Sequence, residues 1–195
     1  AEVITRKKFD VLIRTKLFIP LGMTKTTFAS LNGAPINPSG GAKSTAEDYM
    51  KFLVMLLNKG KYNGVQILSE NAVNEMLQPQ NRLEQVKYTP KSAEGFRYAL
   101  GAWVIEEKGK QVTYVDGKLH TGPLVPPPTG NVETKSITTA NAIASPGLFG
   151  TWPMIDYCRG YTYIVFVKNL LGEERADAHL QLKKIVDAQT SSSCK

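Results

Sequence analysis

Cysteine and histidine are scarce in this chain: Cys158, Cys194, His120 and His179 are all it has of either. None of them stands at the close spacing that structural zinc sites use, which excludes a zinc-held module. Free thiols are the default for so few cysteines; a disulfide between the two stays open, and they fix no compartment. Long apolar runs are missing too. The longest strongly apolar stretch is 52–57, far short of the ~20 residues that cross a bilayer, so no membrane span is expected. Ala1 opens no apolar signal segment, and no targeting address is visible. Acidic residues are in the minority: 17 against 24 Lys and Arg leave a net charge of +7. Charge alone would suit an anionic polymer. The basic residues are spread among acids, however, and the denser spots, Arg6-Lys7-Lys8 and Lys183-Lys184, read as solvated helix faces. No groove-reading or base-stacking motif accompanies them, so no nucleic acid partner is expected. No cofactor is expected either.

What is present reads as a globular α+β chain. Apolar content is 42% of 195 residues, enough for a real core. Phe9, Leu12, Ile13 and Leu17 share one face of a first helix, which Pro20 should stop and Gly22 should turn. A loop rich in Gly, Pro, Asn and Ser fills 30–43. Ser44-Thr45-Ala46-Glu47 has the form of a capping box, with Ser44 as the cap. The helix behind it carries Tyr49, Met50, Phe52, Leu53, Leu56 and Leu57 as an apolar stripe, and Gly60 suits a left-handed C-cap. Tyr62-Asn63-Gly64 signals a turn. Ser69 caps a third helix with Val73, Met76 and Leu77 inward and Pro79 as its stop.

The pattern then changes to strands. Residues 96–106 and 111–115 are predicted to pair across a turn at Lys108-Gly109-Lys110. Tyr98, Leu100, Ala102 and Val104 alternate with Trp103 and Ile105, so both faces are apolar, as in a central or helix-covered strand. Residues 119–139 read as loop. A strand ending near Phe149 should pair with 161–168 across a turn at 156–160. A last helix at 173–189 should bury Ala178, Leu182, Ile185 and Val186, and the tail 190–195 should fray. Helices first, strands next and a covering helix last is an α+β order, not alternating βαβ units. Residues 1–95 form its helical part and 96–195 its strands and final helix.

Four stretches resemble the serine β-lactamase and penicillin-binding-protein-like family, in its class C and esterase-like branch. They are Pro-Leu-Gly-Met-x-x-Thr within 18–28, Gly-Gly-Ala-x-Ser-Thr-Ala-Glu-Asp-Tyr-Met within 40–57, Gly-Lys-Tyr-Asn-Gly and Ile-Leu-Ser within 60–76, and the segment 145–169. The resemblance implies an antiparallel sheet with helices packed on it, incomplete in this chain. It implies a serine hydrolase that attacks an amide or ester through an acyl-enzyme, and a periplasmic or secreted location. Such proteins use a Ser-x-x-Lys nucleophile, a Tyr-x-Asn or Ser-x-Asn motif, and a Lys-Thr-Gly or His-x-Gly motif on an edge strand. The first two precede the Pro-Leu-Gly-Met segment in the family, so the chain is expected to be the C-terminal portion of a longer protein, partnered by a missing N-terminal portion.

Two local matches are decoys. Ser192-Ser193-Cys194-Lys195 has no room for a following helix, and Ser69-Glu70-Asn71 sits where Ser69 acts as a cap. Matching Ser145-Pro146-Gly147-Leu148-Phe149-Gly150 to the family places its Lys-Thr-Gly triplet on Ala142-Ile143-Ala144, where no cation or hydroxyl remains. The resemblance then gives Ser145 a backbone role, its N–H as an oxyanion donor, and puts Ala144, Gly147 and Phe149 on the substrate-binding edge strand. His120-Thr121-Gly122 is a rival for the His-x-Gly position. Trp152 and Tyr157 border a pocket or pack in the core.

Three functions follow as expectations: part of a serine hydrolase with a small-molecule or peptide substrate, a non-catalytic binding or structural relative, or a basic protein binding anionic polymers. An isolated half of such a domain should also expose an apolar face.

Overall fold

Proline lacks the amide hydrogen that a helix interior needs, yet Pro20 does not end the first helix. In the computed structural model, which describes residues 1–28, 30, 35–116, 118–120, 129–147, 150–167 and 176–190 (backbone alone at 110–114, 118–120, 135–137 and 176–177), the chain opens with α1 (Glu2–Thr5). The next helix runs as α2 (Phe9–Ile13), a π-helical turn (Arg14–Phe18) and α3 (Ile19–Leu21). The wider turn lets the Ile19 N–H reach Arg14 O, five residues back, just before the proline. Gly22 is the actual stop, with φ of 65°. The Met23 N–H closes the end on Phe18 O at 2.8 Å.

α4 (Ala46–Leu57) starts one residue later than its capping box suggests: Thr45, not Ser44, is the cap and accepts the Asp48 N–H at 3.2 Å. This leaves Asp48 free to reach back to the 20–28 segment. Its buried carboxylate accepts the Lys25 N–H at 2.7 Å, the Thr26 hydroxyl at 3.0 Å and the Lys51 ammonium at 2.9 Å. Ser44 meets the Thr26 hydroxyl at 2.8 Å instead of capping. Gly60 takes the left-handed conformation, with φ of 87°, and returns its N–H to Met55 O at 2.8 Å. The hairpin of β1 (Lys61–Tyr62) and β2 (Val65–Gln66) follows, turned by Asn63 and Gly64. Ser69 caps α5 (Glu70–Met76) by accepting the Ala72 N–H at 3.1 Å, which disposes of Ser69 as a catalytic Ser-x-Asn.

The main sheet is antiparallel, in the order β3 (Arg97–Tyr98), β4 (Trp103–Val115), β6 (Val132–Ala144), β7 (Trp152–Asp156), β8 (Tyr161–Val165), with β5 (Lys118–His120) on β4. Four expectations fail here. Residues 96–106 are not one strand, because Arg97 and Tyr98 fold back to pair with Val104 and Trp103. Residues 161–165 pair with 152–156 and not with a strand ending near Phe149. β4 does not turn at Lys108-Gly109-Lys110, because those residues pair with Thr139, Thr138 and Ile137. Residues 132–139 are strand, not loop; the threonines that suggest a loop also favour β structure once a partner strand is alongside. The turn after β7 is as expected: Gly160 N–H meets Asp156 O at 2.9 Å.

The sheet is covered on both faces. Leu53, Met55 and Leu56 of α4 and Val73 of α5 pack with Val104, Ala140, Ile143 and Ile155 on one face. Each such buried aliphatic or Met side chain contributes on the order of 2 kcal/mol. Ala144, Trp152 and Met154 form a second cluster on the other face. There His179 of α6 (Ala176–Gln189) stacks on Trp152, with centroids 4.5 Å apart. The buried side of α6 differs from the predicted stripe: His179 and Lys183 are buried, whereas Ile185 is 64% exposed. Val3, Ile4 and Ile19 are also exposed. The fold is α+β with an antiparallel sheet and helices packed on it.

Candidate functional site

α4, α5 and the paired ends of β6 and β7 line a partly open cavity of about 240 Å³. Tyr49, Phe52, Leu53 and Leu56 line it from α4, and Val73, Met76 and Leu77 from α5 and its end. Ile143, Ala144, Ser145, Pro153, Ile155 and Tyr157 close it from the sheet. Two residues picked out from sequence, Ala144 and Ser145, therefore lie on this cavity, as does Tyr157. Burial pushes the Tyr49 and Tyr157 phenols above their ordinary range, so both stay neutral donors at physiological pH.

The edge-strand expectation needs correction. Ala144 is flanked on both sides, by Trp103 of β4 and Met154 of β7. The cause is the start of β4, which lies alongside the end of β6 from Trp103 onward. The Ser145 N–H also points into the sheet and donates to Pro153 O at 3.2 Å. In this geometry that amide is a hairpin donor, not one free to receive an oxyanion. The Ala144 side chain belongs to the cluster of Trp152 and Met154 on the α6 face. The Gly147 N–H closes the following turn on Thr151 O at 2.8 Å, and Gly147 is not on the cavity wall. Phe149 lies outside the described residues. His120 pairs with Thr113, whereas Ala144 pairs with Trp103. Ten strand residues separate those partners, roughly 33 Å. The two are not brought together. Trp152 is buried on the face opposite the cavity, against His179.

The densest polar cluster was missed from sequence. Lys183, read there as solvated, is buried between β4, β7 and α6. Its ammonium lies 2.7 Å from Glu106, 2.9 Å from Asp156 and 2.9 Å from Asp187. Arg159 adds contacts to Glu106 at 2.9 Å and Asp156 at 2.8 Å. Tyr161 donates to Asp187 at 2.5 Å. Burial alone would raise the Asp156 carboxyl, but Lys183 and Arg159 outweigh it and hold the group below its usual range. Burial likewise works against the charged Lys183, and the carboxylates more than reverse it, so its pKa is raised. The oxygens of Glu106, Asp156 and Asp187 are close enough together to share a metal ion. Lys183 already places a positive charge among them, so this set does not fit a metal centre and fits an internal ion cluster that docks α6. The spacings Asp156/Arg159 and Lys183/Asp187 were the available signals.

The Beta-lactamase family matches residues 1–187, and the chain belongs to that family. Among curated proteins it is similar to two from Mycobacterium tuberculosis strains, "Uncharacterized protein MT1414" and "Protein Rv1367c". Each is 33% identical over 122 residues, 62% of this chain and 26% of the relative. The chain thus spans about a quarter of the length of these relatives. Among solved structures it is similar to a "putative beta-lactamase" from Bacteroides dorei. The TM-score is 0.57 and the identity 23%, with 93% of this chain and 53% of that one covered. At that identity the likeness shows a shared fold.

Proposed function

We propose that this chain forms the sheet-side wall of a serine hydrolase that cleaves an amide or ester through an acyl-enzyme, with the Ser-x-x-Lys nucleophile supplied by a more N-terminal portion of a longer protein. One observation carries the reading. The cavity opens against Ala144 and Ser145, the stretch where the family resemblance puts the substrate-side strand. In that role the chain supplies shape, apolar surface and neutral phenols, and the attacking hydroxyl comes from outside residues 1–195. The Ser145 amide serves as an oxyanion donor only if its bond to Pro153 is released in the assembled protein. Labelling of the longer protein by a fluorophosphonate or penicillin probe, lost on replacing the serine of its Ser-x-x-Lys motif, is the expected result. A silent, correctly folded longer protein overturns the reading.

A second reading is favoured by a specific observation. Ala142-Ile143-Ala144 carries no cation, and Ser145 already spends its N–H on Pro153. Both suit a β-lactamase-like binding or structural module without turnover. Absence of Ser-x-x-Lys from the upstream sequence selects this reading at once.

A further inference from the structure

The cavity between α4, α5 and the sheet contains no charged side chain among its described lining residues. Five of its walls, Leu53, Leu56, Val73, Leu77 and Ile143, are at most 7% exposed. Leu100, 47% exposed, also lines it, so the space is a pocket sunk into this chain's own core and open to solvent on one side. An apolar cavity of ~150 Å³ accommodates benzene, so about 240 Å³ has room for roughly ten heavy atoms. A carboxylate or ammonium placed there would lose its hydration and meet no opposite charge. The polar side chains among the lining residues are Tyr49, Tyr157 and Ser145, hydroxyl groups that suit a neutral oxygen or amide and do not neutralise an ion.

We propose that this cavity binds a neutral, largely apolar group of about ten heavy atoms, such as one ring with a short uncharged polar tail, and rejects the matching carboxylate. As the identity of the substrate's acyl group, the proposal rests on the hydrolase reading above. As a binding site it needs no nucleophile. It narrows the substrate class to a neutral apolar ester or amide.

Phenylacetone and phenylacetate have the same number of heavy atoms and differ by a methyl group in place of an ionised oxygen. Both are titrated into the protein at neutral pH, read by calorimetry and by the methionine methyl resonances. Phenylacetone is expected to bind at least ~10-fold tighter than phenylacetate and to shift the Met76 methyl signal. Met76→Phe, which narrows the cavity, should weaken binding, whereas Met76→Ala, which enlarges it, should retain binding. Circular dichroism confirms that each variant is folded. Equal affinity for the two compounds, binding unchanged in folded Met76→Phe, or no binding of phenylacetone at about 10 mM, overturns the proposal. A protein that binds phenylacetone but takes no fluorophosphonate label keeps the cavity assignment and loses the hydrolase reading. One that labels but does not bind phenylacetone loses the cavity assignment alone.

Discussion

The Asp48 carboxylate accepts the Lys25 backbone N–H at 2.7 Å, joining two segments 23 positions apart in the chain. Lys25 lies in the Pro-Leu-Gly-Met-Thr-Lys-Thr-Thr run and Asp48 in the Ser-Thr-Ala-Glu-Asp run. The two sequence signatures that carry the family resemblance are thus two halves of one buried contact. Asp48→Ala removes the buried acceptor that holds the Lys25 N–H and the Thr26 hydroxyl. It is expected to cost about 2–4 kcal/mol, read from urea unfolding. A loss within the scatter of a surface substitution contradicts this role.

Acid should destabilise the protein in a defined window. Burial pushes the Asp48 and Asp156 carboxyls up, but their partners outweigh it, and both sit below their ordinary range. Their contribution is therefore fully present above the unfolded pKa of about 3.9 and is lost as pH falls through the depressed folded values. The raised Lys183 contributes fully below its unfolded pKa of about 10.4, and that contribution is lost as pH rises through the folded value. For these groups the urea midpoint should be flat from about pH 5 to 10 and fall below about 4. A midpoint that climbs on acidification below 4 contradicts the assignment.

Replacing the ammonium at the centre of the cluster should reverse that slope. Lys183→Met leaves Glu106, Asp156 and Asp187 with Arg159 as their remaining cation among the contacts described. We expect a loss of ~3–5 kcal/mol at pH 7, partly recovered as pH falls and the carboxyls take up protons. Parallel pH profiles for the variant and the parent would show that Lys183 does not organise the cluster.

Two glycines allow a paired comparison. A Cβ at Gly60 would stand 2.1 Å from Leu68 O, whereas at Gly22 nothing lies within 4 Å. Both have positive φ, 87° and 65°. Gly22→Ala should lose only the conformational ~1 kcal/mol, and Gly60→Ala measurably more, because backbone must also move. Equal losses in urea titrations contradict the packing at Gly60.

Cys158 is disulfide-bonded, which corrects the free-thiol default. A maleimide should therefore leave Cys158 unmodified in the folded protein until reductant is added. Labelling without reductant contradicts the bond.

Local chemistry was legible in the sequence. Ser69 as a cap, Gly60 as a left-handed stop and the Asn63-Gly64 turn each depend on hydrogen bonds within a few residues. Features that depend on remote partners were not. Gly109 between two lysines reads as a turn until Thr138 and Thr139 lie opposite, and register of that kind is set by the distant strand. Lys183 reads as a surface charge because Glu106 and Asp156, its partners, are 77 and 27 positions away. Pro20 misleads for a different reason: a π turn absorbs the missing donor. At the candidate site, Ala144 and Ser145 were found through the family resemblance. That Trp103 lies beside Ala144 was not, because which strand a segment pairs with is set by register against a distant partner.

The most direct test of the hydrolase reading is intact-mass analysis of the longer protein after brief exposure to a neutral phenylacetyl ester. The account predicts a single phenylacetyl adduct, on a serine followed three residues later by lysine and lying outside residues 1–195. No adduct, or acylation scattered over surface lysines, would contradict it.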